Sequence, residues 1–484
     1  MSRKLFELVK SLDKAEKRTF RLLAGEQQTG YLKLFDTLEK MKEYSDENLS
    51  RHFSAQSATA LSKTKELLTE HILLSLQHHH RKDDEESILN TLIHIRILMH
   101  KGQFELVREK INEVKKKIIL LERYFLLGYL LQAEIDLYRN KTLKQLSFQE
   151  FDDILHELIS VSGKAKNLSE YRQITFNAQH QRVFYGASAR VDCYKAYMEK
   201  QKANPFFADK NNALSLMALD EYFGFWFWYY EMYKDADKQV EVINEWITEY
   251  QKHAPRLPYI TGRYMAVLYK LGVAAVAKND QKSFAKAIKQ LTEITPDKEL
   301  QRFERLNYIF SLHLENFYAQ RRFEKIVELL PLFNQLTGEY KNRLNDERRV
   351  SITKDMAIGY FMNRNYELCV ELTGFLMNNF PKIQFSSLCQ VRVLNILSHI
   401  ALENYLLLES LYRSFEHFVK RYSALSEAEK LMRNLIRDLS KTHSQSGVKT
   451  VYKSYYEQLK CYAEDNYYFF LPRFLEMEID LKQA

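Results

Sequence analysis

Along most of this chain, apolar residues recur every three or four positions, as they do on one face of an α-helix. The segment that begins at Phe323 is typical, because Ile326, Val327 and Leu330 follow at helical spacing. No segment alternates apolar and polar residues for long enough to predict a strand. The periodicity therefore predicts an all-α protein.

The scarcity of helix-breaking residues supports the same fold class. The chain has 484 residues but only 13 glycines and 7 prolines, where average usage would give about 34 and 24. Because these residues are frequent where helices end, their scarcity predicts helices joined by short loops. At this length the helices would form several domains or an extended array rather than one compact core.

A short turn pattern recurs between the predicted helices. Two polar residues precede an aromatic or β-branched residue, the anchor, which opens the next amphipathic helix. Five anchors are separated by 44, 39, 43 and 39 residues, and two helices with two turns fill such an interval. The spacing predicts stacked helix pairs. The anchors are Val240, Phe284, Phe323, Tyr366 and Tyr405, and Phe104 opens a related turn.

Two groups of side chains are predicted to be buried between these helices. The aromatic run over residues 222–230 is apolar all round, which predicts a helix buried on several sides. The second group consists of the packing positions of the repeat. These are Phe323, Ile326, Leu330, Tyr366, Cys369 and Tyr405.

The stretch 356–381 resembles a tetratricopeptide repeat. Small, aromatic and apolar residues match the packing positions of both helices, although Thr373 replaces a large apolar residue and the spacing exceeds the 34 residues of that family. The resemblance, to tetratricopeptide-like proteins in the broad sense, covers about residues 85–465. It implies a right-handed α-solenoid that binds peptides or proteins, and it brings no catalytic residues. The matching residues are Ala357, Tyr360, Tyr366, Cys369, Leu376 and Pro381.

The first part of the chain differs from the rest. Its predicted helices are shorter, and Gly25, Gly30 and the stretch 54–59 separate them. We therefore expect a small N-terminal helical domain over residues 1–82 and an α-solenoid of helix-pair repeats over residues 83–484. The predicted helices of the first domain are 3–10, 13–24, 31–44, 46–53 and 59–78.

A stripe of basic residues lies on the helix that the capping box Asp13–Glu16 begins. Leu12, Phe20 and Leu23 occupy a different face of this helix. A basic stripe is usually a solvated face, but it is also the candidate contact for an acidic partner or a phosphate backbone. The predicted partner-binding residues are Lys14, Lys17, Arg18 and Arg21.

Residues 31–77 faintly resemble a helix-turn-helix or winged-helix domain. Ser62, Lys63 and Lys65 open its last helix, where recognition helices present short polar and basic residues. The same helix has a thick apolar face, as core helices do. Two functions therefore stay open: a non-enzymatic scaffold that binds a protein or peptide, which we favour, and a DNA-binding regulator with a repeat sensor domain. The apolar face consists of Leu61, Leu67, Leu68, Ile72, Leu73 and Leu76.

No motif for catalysis, a cofactor or a metal stands out. Successive helical residues point about 100° apart, so the triplet 78–80 of histidines cannot hold one ion. The Lys-Thr pair at Lys449 and Thr450 lacks the glycines of a phosphate loop. We expect no enzyme, no cofactor and no metal.

Charge and cysteine usage predict the compartment. The net charge of +8 is mild, and half of it lies within residues 1–82, so nucleic acid is not the expected partner. Cys193, Cys369, Cys389 and Cys461 form no CxxC pair and are predicted to be buried free thiols. The chain start lacks the apolar core of a signal peptide, and no apolar stretch is long enough to span a bilayer. The sequence predicts a soluble cytoplasmic protein without a membrane partner.

Overall fold

The computed structural model describes residues 2–25, 29–54, 57–81, 84–139, 147–185, 191–253, 257–380, 385–420, 427–460 and 470–480. Helices account for most of these residues, and none of them forms a strand. The prediction of an all-α protein is confirmed. None of the described helices combines the length and the apolarity that crossing a membrane requires.

The chain divides into two compact units, Met1–Phe225 and Trp226–Ala484. The predicted boundary at residues 82 and 83 lies outside the described residues and stays a prediction. The first unit contains α1 (Ser2–Ser11), α2 (Lys14–Ala24), α3 (Gly30–Lys40), α4 (Asp46–His52), α5 (Ala58–His79), α6 (Asp84–His100), α7 (Phe104–Leu120), α8 (Tyr124–Arg139), α9 (Phe148–Tyr185), α10 (Val191–Lys202), α11 (Pro205–Ala208) and the start of α12 (Leu216–Met232).

The second unit begins within α12 and continues through successive helices. A 3₁₀ segment over Phe323–Leu329 interrupts the series of α-helices. The helices are α13 (Ala236–Lys252), α14 (Leu257–Lys278), α15 (Gln281–Glu293), α16 (Glu299–Ala319), α17 (Leu330–Gly338), α18 (Asp346–Met362), α19 (Tyr366–Asn379), α20 (Phe385–Ala401), α21 (Tyr405–Val419), α22 (Glu427–Leu439), α23 (Gln445–Lys460) and α24 (Leu471–Asp480).

Helices α1 to α5 share a buried apolar cluster. Phe20 of α2 and Phe35 of α3 lie 4.4 Å apart between ring centroids, and both are buried with Leu68 and Ile72 of α5. The predicted capping box is present, since Asp13 accepts from the Glu16 N–H and Glu16 accepts from the Asp13 N–H. Helix α3 ends four residues earlier than predicted, because the residue after it is already extended.

Seven described helices end in the same turn. In the turn at Arg364, the Arg364 N–H donates to the Phe361 carbonyl at 3.0 Å and the Asn365 N–H donates to the Tyr360 carbonyl at 2.9 Å. This pair of bonds is a Schellman motif, which requires a residue with positive φ after the helix. Only one of the seven is a glycine. The residues with positive φ are Gly102, Glu122, Lys234, Asn279, Arg321, Arg364 and Glu403.

These turns correct the register of the predicted repeat. Phe104, Phe323, Tyr366 and Tyr405 each open a helix, as expected, but the anchors predicted at 240 and 284 lie inside α13 and α15. Aspartates cap those two helices one residue before they begin, so the turns lie further upstream. From the turn at residue 234 to the turn at residue 403, the positive-φ residues are separated by 45, 42, 43 and 39 positions.

The buried positions of the second unit agree with the prediction except at one leucine. Phe323, Ile326 and Cys369 are buried, and Tyr366 and Tyr405 are half-buried against the same core. The prediction for Leu330 is wrong, because 36% of this residue is exposed while its neighbour at 329 is only 4% exposed.

The 3₁₀ segment explains this shift. Three residues per turn place Phe323, Ile326 and Leu329 on one face, whereas an α-helix would have placed Leu330 there. Pro331 follows directly and cannot donate a hydrogen bond to the carbonyl of Val327. An α-helix is therefore excluded over the residues that lead into the proline.

Helix α12 carries the aromatic run. Phe223, Phe225, Phe227 and Tyr229 are buried, and Trp226 between them is half-buried. The prediction of a helix buried on several sides is confirmed.

Candidate functional site

The basic stripe of α2 is partly occupied by α3. Lys17 lies 3.3 Å from Glu39, and Arg21 lies 2.9 Å from Asp36 and 2.6 Å from Glu39. Burial opposes the ionisation of Glu39, but the hydrogen bonds from Lys17 and Arg21 outweigh it and lower its pKa. These two cations hold α2 against α3, so they are not simply a solvated face.

The other two cations of the stripe, Lys14 and Arg18, are exposed and form no ion pair with any described residue. Their role in binding a partner stays a prediction. The predicted apolar face of α2 is correct at Phe20, which is buried, but wrong at Leu23, which is 53% exposed. Helix α2 packs on α5 with the side that carries Phe20, and Leu23 lies outside that contact.

The histidines at the end of α5 contact α2. His79 Nδ1 lies 2.9 Å from Thr19 Oγ1, and His80 Nε2 lies 3.0 Å from Glu16 Oε1. Among the described residues, no three possible metal ligands lie together. His79 and His80 thus connect the end of α5 to α2.

Helix α5 has a narrower apolar face than predicted. Leu68 and Ile72 are buried, but Leu67 and Leu73 are about half exposed. Lys63 near the start of this helix is exposed as well. The helix thus combines a core face with an outer face that is partly apolar.

Two neighbouring helices of the first unit expose large apolar side chains in regular stripes. On α6 the side chains of Leu89, Ile93 and Ile97 recur every four residues, and on α8 Phe125 and Tyr129 do the same; all five are between 46% and 70% exposed. Leu89 and Phe125 line one cavity. Exposed apolar side chains that meet at a cavity are typical of interaction sites.

Two arginines line the same cavity, whose volume is about 240 Å³. Arg123 donates from Nη2 to Glu85 at 3.0 Å, and Arg172 Nε lies 3.5 Å from Glu221. The Nε atoms of both arginines are buried and have no hydrogen-bond acceptor among the described residues. Each guanidinium thus lines the cavity while already paired with one carboxylate, that of Glu85 or that of Glu221. We call the five exposed side chains and the two arginines the α6–α8 face.

Glu122, next to Arg123 in the chain, forms hydrogen bonds with the start of another helix. Its carboxylate accepts from the backbone N–H groups of Leu216 at 3.1 Å and Met217 at 2.8 Å, so it caps α12. Glu122 is also the residue with positive φ in the turn between α7 and α8.

Sequence reasoning missed the α6–α8 face. Arg123 and Arg172 are far apart in the chain, and no spacing rule joins them. One signal was available on α6, where Ile88, Leu92 and Ile95 are buried while Leu89 and Ile93 are exposed. A helix that is apolar on two faces needs a second partner.

A second cluster of charged groups lies in the core of the second unit. The Tyr318 hydroxyl donates to Asp355 Oδ1 at 2.7 Å, and Ser351 donates to Oδ2 of the same carboxyl at 3.5 Å. Arg348 donates to Asn307 at 2.9 Å. Burial raises the pKa of Asp355, against the opposing effects of Lys354, Tyr318 and Arg348. These groups satisfy one another, so they hold α16 and α18 together.

The described cysteines differ in their exposure to solvent. Cys369 and Cys389 are buried, as predicted, but Cys193 is exposed, because it lies on the outer side of α10. Burial raises the pKa of Cys369 to about 12. The Cys369 thiol therefore stays protonated at neutral pH. Cys461 and Pro381, which the sequence analysis singled out, lie outside the described residues.

Comparisons with protein-family models, with curated proteins and with solved structures found no match to the chain.

Proposed function

We propose that this chain is a non-enzymatic repeat protein, a right-handed α-solenoid of tetratricopeptide-like helix pairs, that binds a partner polypeptide. The recurrence of one turn geometry between successive helices supports the repeat, since each Schellman turn reverses the chain in the same way. The proposal keeps the cytoplasmic location that the sequence predicts.

The α6–α8 face is the proposed docking surface. The observation that carries this proposal is the meeting of exposed apolar stripes with an arginine-lined cavity, at Leu89 and Phe125. Aromatic residues and arginines are the types that contribute most to protein interfaces. The proposed occupant is a peptide segment with apolar side chains and one carboxylate.

The carboxylate follows from the chemistry of Arg123 and Arg172. A guanidinium presents a planar set of donors that matches a carboxylate, and a buried donor without an acceptor is costly. The first turn of α8 lines the cavity too, and its N-terminus favours negative charge. At about 240 Å³ the cavity holds one side chain rather than a drug-sized ligand.

The exposed cations of α2 would also favour a partner that carries negative charge. Lys14 and Arg18 would attract an acidic partner and strengthen its capture at low salt, because exposed charges are screened as salt rises. Lys17 and Arg21 already pair with carboxylates of α3, and their role in partner binding stays a prediction.

Selection from a displayed library of random peptides tests the proposal. We expect enriched peptides to combine apolar residues with Asp or Glu, and to bind roughly tenfold more weakly to the Arg123→Gln and Arg172→Gln variants, because hydrogen bonds to charged groups are lost. Phe125→Ala should weaken binding too. Phe148→Ala is the matched control, because Phe148 is similarly exposed but does not line the cavity.

Enrichment of basic peptides would contradict the proposal. So would equal binding by the wild type and both arginine variants, or an equal loss from Phe125→Ala and Phe148→Ala.

A further inference from the structure

A second cavity, wholly within the second unit, has a different lining. Its volume is about 290 Å³, and the turn residues Arg364 and Glu403 lie on its wall together with Lys449 of α23 and Glu478 of α24. Two successive helix pairs and the last two described helices thus contribute charged groups to one cavity.

The charged groups of this cavity are not paired with one another. Glu403 accepts a hydrogen bond from Gln445, but Arg364, Lys449 and Glu478 have no hydrogen bond or ion pair within the described part of the chain. Arg364 and Lys449 are nevertheless close enough to Glu478 to oppose the rise in its pKa that burial causes. Charges of both signs therefore line the cavity without pairing with one another; those of Arg364 and Glu403 are exposed, and those of Lys449 and Glu478 are half-buried.

Aromatic side chains complete the lining. The hydroxyls of Tyr366, Tyr405 and Tyr452 have no hydrogen-bond partner among the described residues, and the Phe474 ring lies edge-on to Tyr452 at 5.8 Å between centroids. Burial raises the pKa of Tyr366 to about 12, so its hydroxyl stays neutral and can donate or accept. The cavity thus has an apolar floor and a polar rim.

We infer that this cavity binds a small zwitterion of the α-amino-acid class. Glu478 would accept from the ligand's ammonium, Arg364 and Lys449 would donate to its carboxylate, and the apolar side chain would lie on Phe474. We call it the zwitterion cavity.

The charge balance excludes simpler ligands. An anion alone would meet the cations but also the half-buried Glu478 carboxylate, and a cation alone would meet Arg364 and Lys449. Two cations and two carboxyl groups line the cavity, so a ligand that is neutral overall and carries both charges offers a partner of opposite sign to each of the half-buried groups, Lys449 and Glu478. The cavity lies apart from the α6–α8 face in sequence, so this inference does not depend on the proposed function.

Calorimetric titration of the full chain with a panel of free L-amino acids tests the inference. We expect saturable binding of at least one apolar or aromatic amino acid, and loss of binding when its amine is acetylated or its carboxylate is amidated. These two derivatives distinguish a free zwitterion from a peptide end, which offers only one of the two charges.

The variants Glu478→Gln and Lys449→Gln should each bind the selected amino acid roughly tenfold or more weakly, since a charged hydrogen bond is lost. Glu476→Gln and Lys453→Gln are matched controls on the same two helices, because neither residue lines the cavity. Tyr405→Phe removes only a hydroxyl and should weaken binding in a protein whose fold is intact.

Three outcomes would overturn the inference: no free amino acid binds, the acetylated or amidated form binds as well as the parent, or the cavity variants bind like their controls.

Discussion

Two clusters of charged residues in the second unit share their composition but differ in their bonding. Around Asp355, the carboxyl and the Tyr318 hydroxyl bond to each other, and Arg348 bonds to amide and hydroxyl oxygens. In the zwitterion cavity, Arg364 and Glu478 face open space and form no direct bond. The first cluster is a closed network and the second is an open one.

This difference provides a criterion that separates structural charges from functional ones. Burial raises the pKa of both Asp355 and Glu478, so a shifted carboxyl does not distinguish them. The distinguishing property is whether donors and acceptors are already satisfied. A closed network contributes to stability, whereas an open one is available to a ligand.

Removing the central carboxyl of the closed network should have the largest effect. Asp355→Ala leaves the buried Tyr318 hydroxyl without its acceptor and removes one of the two carboxyl groups that act on Arg348, so we expect a loss of about 3 kcal/mol in the free energy of unfolding. Urea unfolding followed by circular dichroism measures it. A loss below about 1 kcal/mol would mean that the network is not closed.

The pH dependence of stability should distinguish the carboxyl from its amide. Because the folded protein raises the pKa of Asp355, its contribution is fully present below the unfolded pKa and is lost as pH rises through the folded pKa. Asp355→Asn keeps an acceptor for Tyr318 and does not titrate. The free energy of unfolding of Asp355→Asn, measured relative to that of the wild type, should therefore increase with pH. The total increase should be about 1.4 kcal/mol for each unit by which folding raises the Asp355 pKa. A constant difference between pH 4 and pH 8 would contradict the assignment.

The smallest effect on stability is expected in the open network. Glu478→Gln preserves shape and removes a charge that burial disfavours, so unfolding free energy should change by less than about 0.5 kcal/mol. Lys449→Gln should change the free energy of unfolding by a similarly small amount. A loss of about 2 kcal/mol in either variant would make these charges structural and would remove the contrast between the two clusters.

The helical fold was predictable because it depends on local properties that every segment repeats. Periodicity and the scarcity of breakers report on each helix separately, and Asp13 with Glu16 predicts a helix start that the structure contains. The error at Leu330 also has a local cause. Pro331 was visible in the sequence and forbids the α-helical spacing that the prediction assumed.

The candidate sites were not predictable, because they depend on residues that meet only in space. Lys17 and Arg21 align on a helical wheel, but nothing in that pattern reveals that Glu39 of another helix neutralises both. Arg123 and Arg172 line one cavity although they belong to different helices. Sequence spacing describes one face of one helix, and both cavities are formed by several helices.

The turns with positive φ have a consequence for protein engineering. A non-glycine residue in this conformation is strained by about 1–2 kcal/mol, so replacement by glycine is a usual route to a more thermostable variant. Lys234 and Arg321 suit that purpose, since no cavity or cap uses their side chains. At Glu122, Arg364 and Glu403 the same replacement would remove a helix cap or a cavity wall. A stability screen scored on melting temperature alone would favour the changes at Arg364 and Glu403 and discard side chains on which binding depends.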